Sequence, residues 1–484
     1  MKSQNMKSKV ISGLIWKFAE RISAQLVTFI VSIVLARLLS PSHYGAVAIV
    51  NIFIALANVF VVSGFGNSLI QKRDADDTDF SSVFYFSILM SIVMYIIIFF
   101  GAPVVAGLYS MPVLKPVLRV MGLRLIVAGI NSVQHAYVAR HMLFKRFFWS
   151  TLGGTLASGV VGIIMAYKGF GIWALATQYM VNTTADTIVL WFTVKWRPKL
   201  LFSLKRLGKM FSFGWKLLVS SLLSTLYQKF RSLVIGKVYT SEDLAFYTKG
   251  EHFPSLIVTN INSSIQSVIF PVMSNNQERK DSLKSMMRRA IRVSSYVMFP
   301  MMTGLAVVAE NFVKLLLTDK WLPCVPYLQI GCIIYALMPI HTANLQTISA
   351  MGRSDVFLKL EIIKKTVSII AFFLALPYGV MSVAICGIFT SILNSVINAH
   401  PNKRLLNYSY WQQLCDIMPA IMASSLMGIA VWLVGFLPLN TVLLLLLQVF
   451  FGMLVYVLIS VLFKMDSFCY IIKTIKEIMR KKRG

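Results

Sequence analysis

Charge is scarce in this sequence. Only 13% of its residues are Asp, Glu, Lys or Arg, where a water-soluble domain carries about a quarter. Acids are scarcer still, at 18 against 47 basic residues. No paired carboxylates and no nucleophile constellation stand out, so an enzyme is not expected. No loop is long enough to fold as a separate soluble domain. That argues against a membrane glycosyltransferase, ligase or polymerase, which carries its catalytic residues on a large extracytoplasmic loop. The five cysteines, Cys324, Cys332, Cys386, Cys415 and Cys469, are scattered. They form no CxxC and no Cys/His spacing suited to a metal, and read as small apolar fillers. Neither cofactor nor metal is expected. A cleavable signal is also missing. Lys17, Glu20 and Arg21 interrupt the first apolar run, and no small-residue cleavage site follows. The first span is therefore expected to be retained.

What is abundant is apolar length. Hydrophobic residues make up 57% of the chain and the mean hydropathy is +0.72. A spanning helix needs roughly 20 apolar residues, so the chain can hold about fourteen. The runs are too long for barrel strands, which leaves helices as the structure that satisfies the backbone in lipid. The expected fold is an all-α polytopic membrane protein. Its spans read as 10–38, 43–70, 80–109, 113–139, 147–167 and 171–194, then 210–237, 243–272, 290–313, 322–350, 358–377 and 380–399. Two more follow at 408–436 and 439–463. Pro41, Pro112, Pro323, Pro326, Pro377 and Pro438 mark tight turns at one set of ends.

The basic residues fall in every second gap. They include Lys2, Lys7 and Lys9; Lys72 and Arg73; Arg140, Lys145 and Arg146; and the run from Lys195 to Lys209. Arg279 to Arg289, Arg353 to Lys365, Lys403 with Arg404, and the tail from Lys464 onward complete the series. Cytoplasmic loops retain Lys and Arg, so these gaps face the cytoplasm and both termini lie inside. The net charge of +29 thus follows from topology. It implies anionic membrane lipids as partners, not nucleic acid. In the tail, Ile471, Ile472, Ile475 and Ile478 oppose Lys473, Lys476, Arg480 and Lys481, the pattern of a surface-lying amphipathic helix.

The longest basic gap, 195–209, divides the chain into similar parts. Ser12-Gly13-Leu14-Ile15-Trp16-Lys17 is answered by Ser212-Phe213-Gly214-Trp215-Lys216. Ser40-Pro41-Ser42-His43-Tyr44-Gly45 is answered by Thr240-Ser241-Glu242-Asp243-Leu244-Ala245, and Gly169-Phe170-Gly171-Ile172-Trp173-Ala174-Leu175 by Gly379-Val380-Met381-Ser382-Val383-Ala384-Ile385. Six spans per part insert with the same orientation, which is a parallel repeat. The expected organisation is a six-helix bundle at 1–199, a second at 200–407, a two-helix appendage at 408–463 and a basic cytoplasmic tail at 464–484.

These motifs, with Leu35-Ala36-Arg37-Leu38-Leu39, Phe270-Pro271-Val272-Met273 and Met351-Gly352-Arg353, carry a resemblance over essentially the whole chain. The sequence is similar to the polysaccharide transporter family of the multidrug/oligosaccharidyl-lipid/polysaccharide (MOP) flippase superfamily, which holds the Wzx-type O-antigen and exopolysaccharide flippases. The resemblance implies transport of an undecaprenyl-pyrophosphate-linked oligosaccharide from the inner to the outer leaflet of a bacterial inner membrane. It implies a monomer, with a polysaccharide polymerase and glycosyltransferases as candidate partners. The alternative reading is a cation-coupled multidrug exporter of the same superfamily. Such an exporter holds its cations on cavity acids, whereas the polar stripe here is mainly basic.

Intramembrane polar residues are the candidate site, because a charge at the bilayer centre costs about 2.5–3.5 kcal/mol unless it faces an interior or wet cavity. The first span carries Lys17, Glu20, Arg21, Gln25, Thr28 and Ser32 on one face. The seventh repeats the theme with Lys216, Ser220, Ser224, Gln228 and Arg231. Arg21, Arg231, Lys17, Lys216, Arg124, Gln25 and Gln228 are the candidates for binding an anionic substrate. For Lys17 and Lys216 a snorkelling anchor is the competing role. Glu20, Asp186 and His135 are the candidates for ion coupling. The competing roles are charge neutralisation for Glu20, an interior hydrogen bond for His135, and pairing with an arginine of another span for Asp186.

Overall fold

The computed structural model describes residues 2–63, 65–72, 74–274 and 279–481. Arg73 and residues 482–484 lie outside them, as do the side chains of Lys2, Lys7, Lys9, Leu14, Phe213, Phe270, Pro271, Val272, Ile475, Ile478, Arg480 and Lys481. Every regular element among the described residues is helical. In chain order they are α1 (Lys2–Leu38), α2 (Pro41–Val62), α3 (Phe65–Gln71), α4 (Asp77–Leu108), α5 (Leu114–Gly122), α6 (Arg124–Arg140), α7 (Phe144–Tyr167), α8 (Ile172–Thr193), α9 (Leu204–Val238) and α10 (Ser241–Ser274). Then follow α11 (Lys280–Val307), α12 (Ala309–Leu317), α13 (Val325–Ala336), α14 (Met338–Ala350), α15 (Ser354–Ala375), α16 (Val380–Leu406), α17 (Tyr410–Val434), α18 (Thr441–Leu462) and α19 (Asp466–Lys481). Each expected span coincides with a long helix or with two short helices in sequence, such as α5 with α6 and α13 with α14. Ten of these segments are apolar and long enough to cross a membrane by composition alone. The remaining expected spans fall on α8, α9, α10 and α15, each of which has the length to cross. The chain is a multi-pass, all-helical membrane protein.

Element boundaries recur through the chain. Leu38 and Pro41 at the α1–α2 turn are answered by Val238 and Ser241 at the α9–α10 turn. The α6–α7 turn places Met142 at φ 56°, and the α14–α15 turn places Gly352 at φ 72°. Gly171 opens α8 at φ 56° and Gly379 opens α16 at φ 103°. These left-handed positions favour glycine, which is why both helices start on one. Packing cuts the chain differently, into compact units of Met1–Ala245 and Phe246–Gly484.

In the first unit α7 packs between α1 and α8, α6 packs on α2, α4 and α8, and α9 lies along α2, α3 and α4. The sequence motifs meet here. A Cβ added to Gly45 would lie 1.7 Å from the Ser241 carbonyl oxygen, and one on Gly171 would lie 3.1 Å from the His43 ring. Close backbone approach, not chemistry, therefore fixes the Gly45 position.

The basic gap at 195–209 is not a loose connection. Residues 194–199, free of regular structure, form a strap against the start of α4, where the Lys199 backbone N–H donates to Ser81 at 3.0 Å. Asp76 caps α4 with a reciprocal Asp79 bond and receives Arg206 Nη1 at 2.6 Å. That guanidinium holds the Asp76 carboxyl below the usual range. Lys199 Nζ lies 2.6 Å from Asp77, and Lys72 Nζ 2.5 Å from the buried Asp79. Arg140 donates to the Leu69 and Lys72 carbonyls. Several charges expected to meet only lipid headgroups thus hold protein together. Between them Trp196 is buried among Phe80, Phe84, Tyr137, Leu190 and Leu207, and its indole N–H donates to Asp77 at 3.2 Å. Truncating a buried Trp costs about 3–5 kcal/mol. Trp196→Ala is expected to lower the thermal unfolding midpoint of the purified protein sharply, and Trp196→Phe by much less. Equal midpoints for all three proteins would show that the strap carries no stability.

In the second unit α11 is the hub, touching α13, α14, α16 and, most extensively, α17; α18 packs on α17. Small residues allow this closeness: Cβ atoms on Gly428 and Gly452 would lie 2.8 and 2.9 Å from Thr303 and Val431. Tyr296 donates to Ser460 at 2.8 Å, and Tyr456 donates to the Tyr296 carbonyl at 2.7 Å. The last two spans are thus stitched to α11.

Candidate functional site

The polar groups of the first unit concentrate where α2, α6, α7 and α8 meet. Arg124 opens α6 and is half-buried. Its Nε donates to Thr183 at 3.2 Å and its Nη1 to Asn51 at 3.4 Å, with the guanidinium 5.0 Å from the Tyr179 ring centroid. All three neighbours are neutral, and no carboxylate pairs with Arg124 among the described residues. Lower on α6, Asn131 Nδ2 donates to Asp186 Oδ2 at 2.6 Å, and His135 Nε2 lies 3.0 Å from the same oxygen. Asn182, one turn before Asp186, donates to Ser158 on α7 at 3.4 Å. Asn182, Thr183 and Asp186 lie within one turn of α8, so one helix serves both groups.

The arginine partner expected for Asp186 is therefore replaced by His135 and Asn131. Arg124, Asn131 and His135 share a face of α6, as their spacing requires, but they meet different neighbours. Arg124 reaches α2 and the middle of α8, while Asn131 and His135 reach Asp186. The result is a positive group held apart from an acid–imidazole pair. The first can take an anion, and the second can hold a proton between a carboxylate and a ring nitrogen.

The α1 residues are placed differently. Lys17 is exposed and lies 5.5 Å from the Phe144 ring centroid. Glu20 accepts a bond from Thr151 on α7 at 3.1 Å. Arg21 is exposed and Gln25 half-buried on the same helix. On α9, Lys216 and Gln228 are exposed and Arg231 is half-buried; Gln228 donates to Ser224 at 3.3 Å. α1 packs on α7 whereas α9 packs on α2, α3 and α4.

Sequence reasoning missed two clusters in the second unit. His341 on α14 lies 3.4 Å from Ser391, 3.3 Å from Ser395 and 3.1 Å from Asn398 on α16. Asp416 on α17 accepts Arg288 Nε at 2.6 Å, Arg292 Nη2 at 2.5 Å and the Tyr408 hydroxyl at 2.7 Å. A signal for the second was present: one acid inside an apolar span, and two arginines at i, i+4.

Comparison with known proteins agrees with this architecture. The model of the family described as "Polysaccharide biosynthesis protein" matches residues 34–326. The lipopolysaccharide biosynthesis protein WzxC of Escherichia coli K12 is 23% identical over 88% of this chain and 89% of its own. The teichuronic acid biosynthesis protein TuaB of Bacillus subtilis is 23% identical over 72% of this chain and 73% of its own. Among solved structures, the lipid II flippase MurJ superposes with a TM-score of 0.75 at 15% identity, covering 94% of this chain and 99% of MurJ. An inward-facing multidrug transporter of the MOP superfamily gives 0.62 at 12% identity, covering 81% and 99%. The chain shares the fold of these two structures and, by the family match over more than half its length, belongs to the family described as "Polysaccharide biosynthesis protein".

Proposed function

We propose that this protein is a flippase. It would carry an oligosaccharide linked to undecaprenyl pyrophosphate from the inner to the outer leaflet by alternating access, as one step in building an O-antigen, capsule or exopolysaccharide. Relatives named for lipopolysaccharide and teichuronic acid biosynthesis support the substrate class. The observation that carries the reading is Arg124, an intramembrane guanidinium held by neutral groups alone. Keeping an unneutralised charge there is costly, and a pyrophosphate or acidic sugar would offset it with bidentate bonds. Arg21, Arg231, Lys17 and Lys216 would add positive potential, with Gln25 and Gln228 as polar contacts. The Asp186–His135 pair is the candidate for the driving proton, and Glu20 is a second acid for that role.

In a strain lacking its own flippase, Arg124→Ala is expected to cut glycan export about ten- to a hundredfold, the worth of one charge-assisted bond. Arg124→Lys should recover part of it, with abundance unchanged. Asp186→Asn should instead leave substrate binding intact and remove the dependence of flipping on a pH gradient in proteoliposomes. Normal export by Arg124→Ala at normal abundance would refute the site.

Orientation follows from the charged gaps. In a cysteine-free background, Lys205→Cys and Ser282→Cys should be shielded from an impermeant thiol reagent in intact cells. Glu242→Cys and Tyr378→Cys should react. The reverse pattern would invert the topology and place both termini outside the cytoplasm.

A further inference from the structure

A cavity of about 420 Å³ opens in the second unit at the basic ends of α11, α17 and α18. That is the size of a small-molecule site. Its walls are apolar, with Met422, Leu426 and Phe463 exposed beside it, and its mouth carries Arg292, Lys464 and Asp466.

The charges at the mouth do not balance. Asp416 accepts bonds from Arg288, Arg292 and Tyr408, and Asp466 pairs with Arg292 at 3.2 Å. Two carboxylates therefore meet two guanidiniums. Lys464 is the third cation, it is exposed, and it makes no ion pair among the described residues. Arg292 commits three N–H groups to these acids, and a guanidinium has five, so two remain. Lys464 also sits at φ 45°, a left-handed conformation uncommon for a residue with a side chain.

We propose that this cavity seats one anionic phospholipid, with its phosphate on Lys464 and Arg292 and an acyl chain along Met422, Leu426 and Phe463. Charge and shape both select this occupant. A surplus cation stands above an apolar slot whose side chains Met422, Leu426 and Phe463 are exposed, so the bound molecule must be anionic at one end and hydrocarbon at the other. The site lies wholly among α11, α17, α18 and the start of α19, shares no residue with the polar cluster of the first unit, and does not depend on the function of that cluster.

The test uses the full chain in nanodiscs of phosphatidylcholine holding a small share of photoactivatable phosphatidylglycerol. Illumination should label peptides covering 415–426 and 459–467 above all other apolar surface. Lys464→Gly should lower that labelling about tenfold, as loss of one charge-assisted bond implies. Its unfolding midpoint should hold or rise, because glycine suits the backbone there. Unlabelled phosphatidylglycerol should compete, and added phosphatidylcholine should not. Equal labelling in Lys464→Gly, or labelling spread evenly over the helices, would overturn the proposal. So would displacement by a polyprenyl pyrophosphate at lower concentration than phosphatidylglycerol, which would give the cavity to the glycan carrier.

Discussion

Arg21→Ala combined with Arg231→Ala is expected to reduce glycan export about a hundredfold or more while the protein remains in the membrane at normal abundance. Each arginine lies on a long helix, α1 or α9, in a sequence-equivalent half of the chain. Arg231 is seven residues from the end of α9, about 10 Å along the axis at 1.5 Å per residue. That depth requires a wet or polar surround. A single charge-assisted bond is worth about 1.5–3 kcal/mol, so two independent losses would multiply. Lysine at both positions should restore export only in part, because an ammonium keeps the charge and loses the planar fork. Anchoring residues would give the opposite result, with lysine fully active and alanine depleted from the membrane. Unimpaired export by the double alanine protein at normal abundance would remove both arginines from the site.

Asp416→Ala is expected to cost about 3 kcal/mol of stability, seen as a large fall in membrane abundance and in unfolding midpoint. The carboxylate side chain is 3% exposed, whereas Arg288 and Arg292 are 50% and 31% exposed. Breaking a buried pair by removing one partner costs about 3–5 kcal/mol; partial solvation of both arginines places the loss at the lower end. The Tyr408 hydroxyl loses its acceptor as well. Since a domain has only about 5–15 kcal/mol in hand, the loss should be visible in cells. Replacing Arg288, Arg292 and Asp416 together by methionine should recover most of it, because no buried charge is then left unpaired; Asp466, which loses Arg292, is solvent-exposed. If Asp416→Ala matches the parent in abundance and midpoint, the clamp is not structural.

The basic gaps illustrate how far one-dimensional pattern reaches. Counting Lys and Arg gives an expected topology, since the retention of positive charge depends on the gap and not on its fold. It could not tell which charges meet lipid. Lys199, Arg206 and Lys72 meet Asp77, Asp76 and Asp79, because the strap folds back on α4. Nothing in the spacing of residues 72–79 and 195–209 states that these segments touch.

By itself the sequence determined the helical class, the order of the long apolar segments, and the two-fold recurrence of turns. Each follows from local requirements: about 20 apolar residues per crossing, and glycine where the backbone turns left-handed. It also showed which residues share a helical face. Only the tertiary structure decided what each face meets. Arg124, Asn131 and His135 lie on one stripe of α6, yet Arg124 finds Asn51 and Thr183 while the other two find Asp186. Periodicity fixes a direction around one axis. The neighbour in that direction, and its depth, depend on how separate helices pack, and that is set by side-chain shape over the whole unit.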